Sequence, residues 1–384
     1  MTTPIAVLLV EDSPVVLTIL KRVLEDSPDI TVVGTARNGQ EALDLIPQLQ
    51  PKVICTDYHM PQMDGLEFIE RVMAQFPRPI LVISASVHPQ EDKTNVFRLL
   101  KAGAVDVFPK PTAIGNAGYD ALKQDLVNKI KILSGVTVFT RHPSQPNNRS
   151  APRISTPIPP SPTSQSSTPK SSPTPQSGTS PLPPLAPRSF AGKTIKAIVV
   201  GTSTGGPQAL YSLLTQLPAT LPVPVICVQH ISEGFLQGLV NWLAVECRLS
   251  VKIAQPGEIP LPGTVYFAPE GTHLEFSPQG HFVCQNTSPV DGHRPSATAL
   301  FKSASKTYGA NLMGILLTGM GRDGAAGMQD IALTGGITIA QDEQSCTVFG
   351  MPKEAIALGA VRYVLAIQEI PGMVVKILSG KEWT

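Results

Sequence analysis

The chain has 384 residues, enough at about 150 residues per domain for two or three domains. Its 30 basic and 29 acidic residues leave a formal charge of +1, split as −3 over 1–135, +5 over 141–190 and −1 over 191–384. No folded part therefore carries the basic excess of a nucleic-acid-binding domain. Charged residues make up 15 %, below the roughly 25 % of an average soluble chain, whereas 38 prolines are about twice the usual share. Apolar runs such as 5–10 and 223–228 fall far short of the roughly 18 residues of a membrane span. No basic stretch leads into a signal-peptide core, so a cytosolic location without membrane insertion is expected. The five cysteines are scattered with no C-x-x-C pair, which fits small buried hydrophobes better than disulfides or zinc ligands.

In chain order, apolar strand patterns at 5–10, 53–56, 80–84 and 105–108 alternate with helical patterns such as 15–24 and 67–75. That alternation predicts a parallel sheet with helices on both faces. Residues 141–190 hold 14 prolines, 12 serines and 5 threonines and no carboxylate. Such a stretch has too little apolar surface to offset the cost of ordering a backbone, so a disordered tether is expected. About 50 flexible residues span roughly 40 Å r.m.s.. Beyond it, strands at 197–200, 223–229, 265–268 and 312–317, with helical patterns at 208–216 and 234–247, repeat the α/β logic. The expected architecture is thus α/β, two doubly wound parallel-sheet domains at 1–135 and 193–384, joined by a Pro/Ser/Thr-rich linker at 136–192. Chemistry in such sheets gathers beyond the carboxyl ends of the strands.

In the first domain, Glu11 and Asp12 close the first strand and Asp57 closes another. Clustered carboxylates repel unless a hard divalent cation sits among them. Ser84 and Lys110, at the ends of two further strands, offer the hydroxyl and ammonium that a phosphoryl group on Asp57 would need. A cis bond between Lys110 and Pro111 would aim that lysine inward. Singly, each of these residues reads as an ordinary solvated strand cap; together they read as a site. Through E-D-S-P, V-I-C-T-D-Y-H-M-P-Q-M-D-G-L, V-I-S-A and F-P-K-P, residues 4 to about 133 resemble a response-regulator receiver domain. The resemblance implies that Asp57 accepts a phosphoryl group from a histidine kinase, that Glu11, Asp12 and Asp57 hold Mg²⁺, and that Ser84 and Lys110 sense the phosphate. Val107 departs from the switching aromatic that many receivers carry, which puts aromatic reorientation in doubt and favours signalling through domain docking.

In the second domain, a strand runs into Gly201-Thr202-Ser203-Thr204-Gly205-Gly206 ahead of a helix. The glycines permit a tight strand-to-helix turn that presents Ser203 and leaves backbone N–H groups for an oxyanion. The competing phosphate-loop reading lacks the lysine of G-x-x-x-x-G-K-[ST]. Among the histidines, His230 ends a buried strand expected beside that of Ser203, His273 and His281 lie in a turn-rich stretch resembling a surface hairpin, and His293 has no strand to place it. For the carboxylate that orients the imidazole, Asp323 follows a strand into a glycine-rich turn, with Asp291 and Asp342 as weaker alternatives.

Residues 195 to about 380 are also similar to the catalytic domain of the CheB family of chemotaxis protein-glutamate methylesterases. The motifs are G-T-S-T-G-G-P, V-Q-H, P-G-T-V-Y-F-A-P, H-R-P-S, L-T-G-M-G-R-D-G-A-A-G-M and A-Q-D-E-Q-S-C-T-V-F-G-M-P. The resemblance implies Ser203 as nucleophile, His230 as base and Asp323 as its partner, with Thr204 and Met320 near the oxyanion and the active-site wall. It implies hydrolysis of glutamyl methyl esters on chemoreceptors, deamidation of receptor glutamines, and a chemotaxis histidine kinase as phosphodonor. No cofactor is expected for the ester chemistry. Arg294 is a candidate for docking an acidic receptor segment, and Arg322 stands where other members often have a small polar residue. Rival readings are a hydrolase of another ester or amide, a transcriptional regulator, for which 191–384 lacks a short basic DNA-binding region, and a non-catalytic scaffold, against which the full Ser203, His230, Asp323 set argues.

Overall fold

A computed structural model describes residues 3–84, 95–111, 119–138, 140 and 194–380. The tether expected at 141–190 lies outside the described residues. The first domain comprises β1 (Ile5–Val10), α1 (Pro14–Glu25), β2 (Ile30–Ala36), α2 (Gly39–Leu49), β3 (Val53–Thr56), α3 (Gly65–Gln75), β4 (Ile80–Ser84), α4 (Asn95–Ala102), β5 (Asp106–Pro109) and α5 (Tyr119–Ser134). Its parallel sheet has the order β2-β1-β3-β4-β5. The chain steps from β1 to one side and then to the other, so the crevice at the switch point opens above the C-terminal ends of β1 and β3. The strands are apolar along their length because helices cover both faces: Leu8 and Val10 enter one cluster, Val7 and Leu9 the other. Local signals start the helices. Ser13 caps α1 by accepting from Val16 N, with Pro14 at the first turn, and Asp64 caps α3 by accepting from Glu67 N at 2.9 Å.

The second domain comprises β6 (Ala197–Thr202), α6 (Gly206–Leu214), β7 (Val225–Gln229), α7 (Leu236–Glu246), β8 (Ser250–Ile253), β9 (Thr264–Phe267), β10 (His273–Phe276), β11 (Phe282–Gln285), α8 (Ala297–Tyr308), β12 (Leu312–Leu316), α9 (Ala325–Leu333), β13 (Ile337–Gln341), α10 (Met351–Ala357), β14 (Tyr363–Leu365) and α11 (Ile370–Leu378). Seven strands pair in parallel in the order β14-β13-β12-β6-β7-β9-β8, and β10 and β11 form an antiparallel hairpin apart from the sheet. β6 lies between β12 and β7, so the three strands expected to carry Ser203, His230 and Asp323 are immediate neighbours. Buried Phe301 and Leu316 pack under that point; each such side chain stabilises the fold by about 1.5–3 kcal/mol.

The two domains meet. Phe97 of α4 stacks on Trp242 of α7, with ring centroids 5.8 Å apart, and Trp242 stacks on Tyr211 of α6 at 5.3 Å. Lys101 closes the rim with an ion pair to Glu246 at 3.1 Å. Gln208 of α6 donates to Ala104 O, two residues beyond α4. Val348 of the second domain packs against the buried cluster that includes Leu126 and Ile130 of α5.

Candidate active site

Ser203 follows β6 at the turn into α6. Gly205 has φ +76, a left-handed conformation that other residues adopt only with strain, and it lets the chain turn straight from strand into helix. The turn is tied to its neighbours: Ser203 N and Thr202 Oγ1 both donate to Thr318 O, at 3.0 and 2.9 Å, and Thr318 Oγ1 donates to Thr204 O at 3.0 Å. His230 stands just beyond β7, its N–H bonded to Thr202 O at 3.0 Å. Gln229 then bridges the two strand ends, its amide donating to Ser203 O at 2.8 Å and His230 O at 2.7 Å. Sequence reasoning passed over Gln229. Its signal was a lone amide closing the apolar run V-I-C-V, because a buried polar group needs partners.

Asp323 is fully buried and saturated. Its Oδ2 accepts from His230 Nε2 at 2.8 Å and from Ala297 N at 2.7 Å. Its Oδ1 accepts from Ser296 Oγ at 2.6 Å, Thr298 N at 2.9 Å and Gly324 N at 3.0 Å. The carboxylate thus also caps the N-terminus of α8, where positive partial charge gathers. Burial pushes its pKa up, but the hydrogen bond and charge of His230, with Ser296 and Thr298, outweigh that and hold it well below the usual carboxylate range. An ionised Asp323 only accepts, so His230 carries its proton on Nε2. His230 Nδ1 is then a bare acceptor, buried and without a hydrogen-bond partner among the described residues. Both oxygens of Asp323 are thus engaged by protein donors, and His293, the third member of this close group, touches His230 by ring stacking and not by a hydrogen bond.

The weaker alternatives are engaged elsewhere. Asp342 turns onto Ser345, accepting from its N–H at 3.0 Å. Asp291 accepts from Arg322 Nε at 2.9 Å and Thr298 Oγ1 at 3.2 Å. His273 corrects an expectation: β10 and β11 do form a hairpin, but His273 is fully buried, accepting from Ser296 N and donating to Ser288 O, because α8 covers that face. His281 is bonded to Gly257 O away from the cleft. His293, unplaced from sequence, lies flat on His230 with ring centroids 3.8 Å apart.

Thr204 and Met320 line the cleft with Ser203 and His230, and neither backbone N–H donates to another group among the described residues. Met320 is 52 % exposed, a wall on the open side. The other wall comes from the first domain: Phe108, Asn128, Lys129 and Ile132 face the same cleft. Arg294 does not line it; the guanidinium donates to Asn286 Oδ1 and Thr287 O. Arg322 does.

In the first domain, Glu11, Asp12 and Asp57 bring carboxylate oxygens within 4.8 Å of one another at the switch-point crevice. Lys110 Nζ lies 2.7 Å from Asp57 and 3.0 Å from Glu11, so it reaches the cluster although the Lys110–Pro111 bond is trans; among the described residues the cis peptide is Arg294–Pro295. Burial raises the pKa of Glu11, helped by the charge of Asp57, and burial likewise raises that of Asp57, with Lys110 pulling the other way. The cluster thus retains uncompensated negative charge, the condition a hard divalent cation relieves, and the donor set fits one. Ser84 is buried at the end of β4, beside the cluster, and Val107 is buried within β5. The thiols of Cys55 and Cys346 are pushed up to about 12 by burial, which leaves them unreactive as nucleophiles.

Comparison with known proteins adds three findings. The family model for CheB methylesterase matches residues 198–374, and that for the response regulator receiver domain matches residues 7–117. A protein-glutamate methylesterase/protein-glutamine glutaminase of Nitrosospira multiformis is 38 % identical over 377 residues, 98 % of each chain, and one of Syntrophus aciditrophicus is 38 % identical over 97 % of this chain and 98 % of its own. Among solved structures, the CheB methylesterase catalytic domain of Thermotoga maritima is 36 % identical with a TM-score of 0.47, covering 48 % of this chain and 99 % of that one.

Proposed function

The chain belongs to the protein-glutamate methylesterase/protein-glutamine glutaminase family, and from that premise we propose that it is a phosphorylation-activated serine hydrolase acting on chemoreceptors. It removes methyl groups from glutamyl esters, releasing methanol, and deamidates receptor glutamines by the same acyl chemistry. The observation that carries this reading is the divided hydrogen bonding of His230: Nε2 is committed to Asp323 while Nδ1 is buried and, among the described residues, without a partner, on the cleft that Ser203 also lines.

His230 Nδ1 takes the proton as Ser203 Oγ attacks the carbonyl, and the developing oxyanion accepts from the N–H groups of Thr204 and Met320. The protonated imidazole then gives that proton to the leaving methoxide or amide nitrogen, and Ser203 is left as an acyl ester. Water, deprotonated by His230, resolves the ester to a carboxylate. Asp323 holds the tautomer throughout and offsets the imidazolium charge. Arg294, exposed and next in the chain to His293, docks an acidic receptor segment.

In residues 1–135, Asp57 accepts a phosphoryl group from a histidine kinase, with Glu11, Asp12 and Asp57 holding Mg²⁺ and Ser84 and Lys110 contacting the phosphate. The cation supplies charge neutralisation at the transferring group. Because Phe108, Lys129 and Ile132 face Ser203 across one cleft, the docked receiver obstructs the approach of a receptor helix, and phosphorylation of Asp57 weakens the docking. Residues 136–192 serve as the tether between the receiver and the catalytic domain at 193–384. Among the described residues no helix is long and apolar enough to cross a membrane.

The test is methanol release from methylated receptor membranes by the full chain, with and without acetyl phosphate and Mg²⁺, with Ser203→Ala as control. Release that needs Ser203 and rises with phosphodonor supports the whole reading. Ser203-dependent release indifferent to phosphodonor removes the gating, and no release removes the substrate.

A further inference from the structure

We infer that His293 is a positioning residue for His230, fixing the plane of the base by face-to-face stacking and stabilising its protonated form during turnover; the inference rests on the serine-hydrolase reading above. The two imidazoles lie 3.8 Å apart between centroids and only 8° from parallel. His293 is not a strand residue that happens to fall there. It sits in a tight turn closed by reciprocal backbone bonds between Val290 and His293, at 3.1 and 3.0 Å, with Asp291 at φ +49 and Gly292 at φ +82. A non-glycine residue in the left-handed region persists only where its surroundings over-determine it. Here they do: the Asp291 carboxylate is clasped by Arg322 Nε at 2.9 Å and Thr298 Oγ1 at 3.2 Å, and the Asp291 carbonyl accepts from His293 Nδ1 at 2.9 Å.

A carbonyl only accepts, so His293 carries its proton on Nδ1 and its ring cannot turn about the stack without breaking that bond. Burial depresses the pKa of His293, the charge of His230 depresses it further, and Asp323 and Asp291 pull the opposite way without prevailing. The other charged groups on this cleft are Arg322 beside it, Lys353 and Glu354 on α10, and Asp125, Lys129 and Lys131 on α5. His293 is accordingly neutral when His230 takes the proton from Ser203. A cation over the face of a neutral aromatic ring is favoured by roughly two- to thirty-fold, more as water is excluded. The stack therefore does what Asp323 does from the ring edge, from the ring face. It also gives Arg322 a function: anchoring the turn that carries His293.

The experiment compares wild type with His293→Leu and His293→Phe in the full chain with acetyl phosphate and Mg²⁺. It follows the rate of Ser203 labelling by a fluorophosphonate and methanol release from methylated receptor membranes, each across pH. His293→Leu should slow labelling and kcat roughly ten-fold, change KM less than two-fold, and move the acid limb of the profile to lower pH, since the protonated base has lost its support. His293→Phe keeps a flat aromatic face and should recover most of the rate. Leucine equalling phenylalanine, or an acid limb that stays in place in both variants, overturns the inference. If wild-type Ser203 takes no label, the serine-hydrolase reading itself has failed and the inference falls with it. If Ser203 is labelled but no methanol appears, only the substrate is wrong, and the labelling rates still decide the role of His293.

Discussion

His230 Nε2 lies 2.8 Å from Asp323 Oδ2, and that one carboxylate also receives the first N–H groups of α8. The residue that orients the base is therefore also a helix cap, which couples catalysis to stability at a single side chain.

Replacing Asp323 should consequently show two effects. Asp323→Asn turns an acceptor into a donor facing backbone N–H groups, so kcat should drop by something like 10⁴-fold through loss of the Nε2–H tautomer. The melting transition should fall as well, because leaving several buried donors unpaired costs about 1–3 kcal/mol each. Steady-state kinetics and calorimetry on one preparation check both; a rate within a few-fold of wild type would remove Asp323 from the mechanism.

Gly319 predicts a loss without unfolding. A Cβ built there meets Ser203 Cβ at 2.8 Å and crowds Met351. Gly319→Ala should displace Ser203 by a fraction of an ångström to an ångström and lower kcat about 10²-fold while far-ultraviolet dichroism stays unchanged.

The two acidic centres should respond to pH with opposite sign. Asp323 titrates below its unfolded value of about 3.9, so its stabilisation is complete above that value and is lost as pH falls below it. Glu11 and Asp57 titrate above their unfolded values, so the folded receiver binds more protons than the unfolded chain, and its stability rises as pH falls through their raised values toward about 4. Hydrogen exchange of receiver segments between pH 7 and 5 should show increasing protection without Mg²⁺. Saturating Mg²⁺ should remove most of that trend by neutralising the same carboxylates.

The α4 contact should set the resting activity. Phe97 is fully buried against Trp242, and a buried Phe→Ala change costs about 3–5 kcal/mol. Phe97→Ala should raise methanol release in the absence of phosphodonor several-fold toward the stimulated rate. Trp242 emission should change on addition of acetyl phosphate and Mg²⁺ in wild type and respond little in the variant; an unchanged resting rate would exclude this contact from gating.

Arg294→Ala tests receptor docking apart from chemistry. KM for receptor membranes should rise with kcat unaltered. An unchanged KM would confine Arg294 to bracing Asn286 and Thr287.

Much of this molecule was legible in one dimension. Continuous apolar runs placed β1, β3 and β4 to the residue, and the acidic, serine and histidine residues at strand ends marked both sites, because period and turn chemistry are local properties. Boundaries shifted where local signals compete: β5 spans Asp106–Pro109, not 105–108, and α6 starts at Gly206, two residues before its amphipathic pattern. What tertiary structure alone decided is which strand ends become neighbours. β12 returns beside β6, which brings Asp323 to His230 across 93 positions while Asp291 and Asp342 are drawn to other partners. The burial of His273 under α8, the bridge made by Gln229, the stack of His293 on His230 and the seat of α4 on Trp242 are of the same kind. Each depends on packing between segments far apart in the chain, and no window of sequence holds both partners of such a contact.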